Sequence, residues 1–136
     1  MANNPEFYDA TVIADVAAAV ALANSGFIAI YSGAQPALNG VLTGTQLAEV
    51  TFGATAFGAP AAAAGTVTAA ANAITSGTIA NSGTAGYFAI LKSDNATVVM
   101  TGSVGTAGAD LNLSSLVFVA GASFGLTAFT WSQPQN

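Results

Sequence analysis

Gly121-Ala122-Ser123-Phe124-Gly125 reproduces G-x-S-x-G, the spacing of a nucleophile elbow that presents a serine on a strained strand-to-helix turn. A serine at its free pKa needs a neighbouring base. The usual base is histidine, and the chain has none. The elbow also needs a helix after the serine, whereas Phe124 to Trp131 alternates like a strand. The two glycines therefore read as the marks of a tight hairpin. Lys92 is the only base that a serine–lysine pair could use, and it sits by the polar turn at Asp94, where a solvated ammonium stays charged.

The acids are Glu6, Asp9, Asp15, Glu49, Asp94 and Asp110, too scattered for a catalytic carboxylate pair. Transition metals need His, Cys or clustered acids. Asp94-Asn95 and Asp110-Leu111-Asn112 could each offer calcium a few oxygens, but neither has a full ligand series, and turn chemistry accounts for both. Gly102, Gly105 and Gly108 lack the lysine and the spacing of a phosphate-binding loop. Asn95-Ala96-Thr97 and Asn112-Leu113-Ser114 fit the glycosylation sequon, which means little without a secretion signal. No enzyme, metal or cofactor is expected.

The elements that must position these residues begin with a helix. Asn4-Pro5-Glu6 offers an N-cap, a proline at the first helical position and an acid in the first turn. Val12, Val16 and Val20 follow at i, i+4 spacing with Ile13 beside them, and Asn24-Ser25-Gly26 reads as the stop, with Gly26 in the left-handed conformation. This predicts a helix over about Pro5 to Asn24, or a separate arm ending at Asp9 before a shorter helix. Residues 1–26 thus form an arm and helix, and 27–136 a β region, within one domain overall.

After Gly26 the pattern becomes that of strands. Phe27-Ile28-Ala29-Ile30-Tyr31 is β-branched and aromatic, and Leu47 to Phe52 alternates with Ala48, Val50 and Phe52 on one face. Gly65 to Ile74 is a weaker run. Tyr87 to Leu91 and Thr97 to Thr101 flank the turn formers Lys92-Ser93-Asp94-Asn95-Ala96, the pattern of a β-hairpin. Leu113 to Val119 and Ser123 to Trp131 read as a second pair joined around Ala120-Gly121-Ala122. Between Gly53 and Gly86 the low-complexity Ala, Gly, Thr and Ser predict weak strands and long surface loops. The expected fold is mainly β: an antiparallel sandwich, jelly-roll-like or immunoglobulin-like, with one N-terminal helix. Several strands are apolar on both faces, so the helix, the other sheet or another subunit is expected to cover the second face. Phe118, Phe124, Phe129 and Trp131 are expected in the core.

Composition sets the class of function. The chain has 136 residues, 53% of them apolar, with no cysteine and a net charge of −5. An ordinary domain of this length carries roughly 34 charged residues. This one has a single lysine and six acids. The apolar content argues against disorder, and Val16 to Ala23 is too short for the ~20 residues of a membrane span. The first ten residues have two acids and no basic residue, so no secretory leader is expected. Nucleic acid is a poor partner without Lys and Arg to neutralise phosphates. A surface of Ala, Gly, Ser, Thr and Asn desolvates cheaply and suits a protein packed in many copies against neighbours.

Three blocks carry a resemblance. Ile30-Tyr31-Ser32-Gly33-Ala34-Gln35-Pro36, Ala54-Thr55-Ala56-Phe57-Gly58-Ala59 and, most specifically, Thr84-Ala85-Gly86-Tyr87-Phe88 through Asp110-Leu111-Asn112-Leu113 together resemble small virion proteins of tailed bacteriophages. The resemblance covers nearly the whole chain in order and carries no catalytic motif. It implies a structural virion protein, most commonly a capsid cement (decoration) protein that binds and stabilises the lattice of the major capsid protein. Such a protein would assemble in the host cytoplasm and sit on the capsid surface, and a homotrimer is expected. A tail or neck component is the first alternative, and a secreted adhesin or glycan-binding module the second. Phe7, Tyr8 and Phe27 lie at the helix ends and serve as a hydrophobic staple or as an anchor in a neighbouring subunit. In the anchor reading Pro5, Glu6, Phe7 and Tyr8 contact the partner. Far-UV circular dichroism should show a β-dominated spectrum with about 10–15% helix, and a helical content above about a third would exclude this fold.

Overall fold

The computed structural model describes residues 8–126 and 128–134. The fold is mainly β with one N-terminal helix, as the patterning predicts. Helix α1 (Asp9–Ala21) is shorter than the longer of the two expected spans. Tyr8 precedes it in an extended conformation, φ −69° and ψ 152°, and its carbonyl oxygen accepts from the N–H of Thr11 (2.9 Å) and Val12 (3.2 Å). An extended residue there ends the helix, so the shorter alternative holds; Pro5, Glu6 and Phe7 lie outside the described residues. Val12, Val16 and Val20 form its buried stripe, one helical turn apart.

The stop differs from the expected one. Ser25 takes the left-handed conformation at φ +56°, and Gly26 does not. Gly26 is required for another reason: a Cβ there would lie 2.2 Å from the carbonyl oxygen of Leu91, where the chain crosses into the first strand. Asn24 holds this corner by accepting from the Ala56 N–H at 2.9 Å.

The strands are β1 (Phe27–Ser32), β2 (Gln46–Phe52), β3 (Ala61–Ala63), β4 (Thr66–Ala70), β5 (Ile74–Thr75), β6 (Gly77–Thr78), β7 (Gly83–Leu91), β8 (Val98–Gly105), β9 (Leu111–Asn112), β10 (Val117–Phe118), β11 (Ser123–Phe124) and β12 (Thr130–Pro134). They make one large curled sheet, ordered β5-β2-β1-β7-β8-β9 with β10 attached to β7, and two small sheets, β12-β4-β3 and β11-β6. The expected hairpin is β7–β8, with Ala89 opposite Thr101 and Leu91 opposite Val98. The expected second hairpin does not form. β10 pairs with β7, β11 with β6 and β12 with β4, because the Val119–Ala122 turn lies against Ile79 instead of folding its flanks onto each other. The short β8–β9 pairing is parallel, the one exception to the antiparallel ladders among the described strands.

Ile28, Ile30, Val50, Phe88 and Ile90 of the large sheet share one buried core with the helix valines and with Val67 and Ala69 of β4. Aromatic rings join the two sheets. Phe129 meets Phe88 edge-on at 5.5 Å and Phe57 at 6.0 Å, and Phe57 meets Trp131 of β12 at 5.9 Å. Phe118 and Phe129 are buried as expected, while Phe124 and Trp131 are only half-buried. The low-complexity stretch enters this core too, through Ala56, Phe57, Val67, Ala69 and Ile79. It is more than surface loop.

The other face of β1 and β7 carries Ala29, Tyr31, Tyr87, Ala89 and Leu91, and part of its cover comes from residues 33–45 of the same chain. Leu42 packs against Ala29, Ala89 and Leu91. The fully buried Tyr87 donates its hydroxyl proton to the Thr43 carbonyl at 2.5 Å and accepts from the Thr43 N–H at 3.0 Å. Tyr31 stacks on Tyr87, centroids 5.2 Å apart and planes 10° from parallel. Gln35 reaches further across and donates to Thr101 Oγ1 at 3.0 Å.

The Tyr87 hydroxyl closes the segment over the sheet with two hydrogen bonds to one residue. Tyr87→Phe should destabilise the fold by about 1 kcal/mol, and amide exchange at Thr43 should speed up selectively. Chemical denaturation with residue-resolved exchange checks this. An unchanged Thr43 would mean that the apolar contact of Leu42 holds the segment without the clasp.

Candidate interaction surface

The residues with possible chemistry lie apart. Ser123 is exposed on β11 opposite Thr78, and Gly121, at φ +91°, turns the chain from Val119 to Ala122. The chain then runs to β12 with no helix at the elbow position. Lys92 closes the β7–β8 turn through its backbone, donating to Thr97 and accepting from Asn95, each at 2.9 Å. Among the described residues no three His, Cys, Asp or Glu side chains come together as metal ligands would.

Both suspected calcium turns hold themselves. Asp94 accepts from the N–H of Ala96 (2.9 Å) and Thr97 (2.8 Å) and from the Thr97 hydroxyl (2.5 Å). The Thr97 hydroxyl bond is the largest reason why its carboxyl titrates at about 2, below the ordinary 3.8; the two backbone donors and Lys92 add to it. Asp110 accepts from the backbone N–H and the hydroxyl of Ser103, at 2.9 and 3.2 Å. Asn112 accepts from the Ala109 N–H at 3.0 Å. Glu49 takes hydrogen bonds from Gln46 (3.2 Å) and Asn95 (3.3 Å) beside Tyr31. Burial pushes the Tyr31 phenol up, and the neighbouring Tyr87 and Glu49 add to the shift. These hydrogen bonds tie Asp94 and Asp110 into their own turns and Glu49 to its neighbours.

The anchor residues are seen only in part. Tyr8 is 84% exposed, and Pro5, Glu6 and Phe7 are outside the described residues. Phe27 packs on the outer face of β1 with Ala29 and Leu91.

The surface feature that sequence reasoning missed is a set of exposed aliphatic side chains. Leu38 is 93% exposed and Val41 83%, at the end of the 33–45 segment, and Val98 stands near them on β8. The tip is a tight turn closed by the Gly40 N–H on the Ala37 carbonyl at 2.7 Å, with Asn39 left-handed at φ +62°. A cleft of about 300 Å³ separates it from β8. Val117 and Val119 form a second patch on a cleft of about 580 Å³ that also borders Phe118 and Phe124. A third cleft, of about 400 Å³, runs between α1 and β12, with Asp15 and Trp131 in its walls. The available signal was Leu38-Asn39-Gly40, turn formers beside aliphatics that belong to no strand.

No family model, curated protein or solved structure matches the chain.

The Asp94 turn gives a pH dependence. Its carboxyl binds protons less readily folded than unfolded, so its contribution is complete above about pH 4 and is lost as pH falls toward 2. Thermal unfolding of the wild type should therefore lose stability over that window, and Asp94→Asn should flatten part of the loss. Parallel curves for the two proteins would show that the turn holds without the charge.

Proposed function

We propose that the protein is a structural virion component of a tailed bacteriophage, a cement protein that binds the outside of the capsid and stabilises the major capsid protein lattice. The observation that carries this reading is the surface. Leu38, Val41, Val98, Val117 and Val119 are exposed on a chain with only one lysine and six acids. Such a surface loses little solvation on burial, and it gains apolar contact when a neighbour covers it. The phage-like blocks supply the virion context.

A cement protein works by linkage. It binds the assembled lattice better than the dissociated subunits, and so shifts the equilibrium toward assembly. A homotrimer engages several sites at once, so modest contacts combine through effective concentration. Phe7 and Tyr8, with Pro5 and Glu6 beside them, form one anchor in this reading, since aromatic side chains dominate interface energetics.

Light scattering of the isolated protein should find a trimer at micromolar concentration; a clean monomer at high concentration would remove the trimer from the proposal. Deleting Asn3 to Tyr8 should leave the β fold intact while weakening attachment to heads. Heads depleted of the protein should also fail earlier under heat or low salt. Equally robust depleted heads, with labelled protein on tails, would replace this reading with the tail component.

A further inference from the structure

Asn39 differs from the other described asparagines in two ways. The first is its side chain, which no hydrogen bond engages among the described residues. The others are all held. Asn24 accepts from the Ala56 N–H, and Asn112 from the Ala109 N–H. Asn72 donates to the Thr55 carbonyl, Asn81 to the Gln46 carbonyl and Asn95 to the Glu49 carboxylate. The second difference is the next residue. Gly40 follows Asn39, whereas serine, alanine or leucine follows each of the others.

Both differences bear on one reaction. The side-chain carbon Cγ of an asparagine is electrophilic, and it closes a five-membered ring if the backbone nitrogen of the following residue attacks it. A Cβ on that following residue crowds the approach, and glycine has none. A side chain tied by a hydrogen bond must also give up that bond before it can rotate to meet the nitrogen. Asn39 carries neither restraint.

The surroundings leave room for it. Residues 37–41 are all exposed, and the cleft of about 300 Å³ beside β8 borders both Asn39 and Gly40, so water reaches the pair. One contact opposes the reaction. The Gly40 N–H donates to the Ala37 carbonyl at 2.7 Å, and the nitrogen must leave that partner and lose its proton to attack. Leu38, within the same turn, is 93% exposed, so opening the turn gives up one hydrogen bond and little apolar contact. It also releases Asn39 from its left-handed backbone at φ +62°.

We propose that Asn39 is a site of spontaneous covalent modification, in which the Gly40 nitrogen attacks Asn39 Cγ and the side-chain amide leaves as ammonia. The bond from the Gly40 nitrogen to Cγ forms, the Cγ–Nδ2 bond breaks, and the proton of the Gly40 N–H departs with the ammonia. Water then opens the cyclic imide at either carbonyl. One opening gives aspartate on the normal backbone, and the other gives isoaspartate, whose main chain runs through Cβ and Cγ. Either product sets a carboxylate between Leu38 and Val41 and raises the cost of burying this aliphatic tip. The reaction needs no partner, so it stands whether or not the lattice reading above is right.

The test incubates the full chain at mildly alkaline pH in water enriched in heavy oxygen, with peptide mapping by mass spectrometry. Conversion should appear first at Asn39, on the order of tenfold faster than at any other described asparagine, the factor that one hydrogen bond of ordinary net strength is worth. The product should carry one heavy oxygen and should contain both aspartate and isoaspartate. The same chain in denaturant is the positive control. Asn39→Gly keeps a residue suited to the left-handed turn, and it should remove the fast product while the fold and the slower sites stay unchanged. A folded chain that stays intact while the denatured one converts would show that the Ala37 bond closes the site, and would overturn the proposal. So would earlier conversion at another asparagine, or aspartate formed without isoaspartate.

Discussion

The structure depends on the ladder between β1 and β7, which is buried on both faces. Ile28, Ile30, Phe88 and Ile90 point one way and Ala29, Tyr87, Ala89 and Leu91 the other, and all eight are almost inaccessible to water. A sheet pair of this kind is stable only when two separate layers cover it. On the core side the layers are α1, the small sheet of β3, β4 and β12, and the seam of Phe57, Phe88 and Phe129. On the other side the alanines leave little height, so an irregular segment can lie close, with Leu42 as its apolar contact and Thr43 clasped by Tyr87. Gly86 belongs to the same arrangement. A Cβ there would stand 1.8 Å from the Gly33 carbonyl oxygen, so the chain can enter the covering segment only where β7 lacks a side chain.

Local pattern revealed what is locally determined. The valine spacing marked the buried stripe of α1, alternation marked β2, and the turn formers from Lys92 to Ala96 marked the β7–β8 hairpin. The sequence left two helix starts open, and α1 begins at the later one, Asp9, after a Tyr8 whose extended backbone has no sequence sign. The stretch after Leu113 was misread for a different reason. β10 and β11 are two residues long and pair with Gly83–Thr84 and Gly77–Thr78, far away in sequence. No period announces such pairings. The glycines of the low-complexity region make the same point: a Cβ on Gly77 would lie 2.1 Å from the Glu49 carbonyl oxygen. Gly77 serves close approach to β2, and only that tertiary neighbour explains it.

The Ser123 motif could be weighed from the sequence, and the exposed patches could not. A chain without histidine or cysteine shows at once that the Ser123 motif lacks its base. Nothing in the order Pro36 to Leu42 shows that Leu38 and Val41 point outward while Leu42 points in. Leu38 lies within the Ala37–Gly40 turn, and Val41 and Leu42 follow it, the first exposed and the second packed on the sheet.

Scarcity of charge links the fold to its surroundings. With seven charged residues, the chain can spare few to guard strand ends, and Asp94 and Asp110 are spent within turns as acceptors for backbone N–H groups. Turn closure and edge protection compete for the same few side chains, and here the turns hold them. What remains outside is aliphatic and small polar, as at Leu38, Val41, Val117 and Val119, and such a surface loses little solvation when a neighbour covers it.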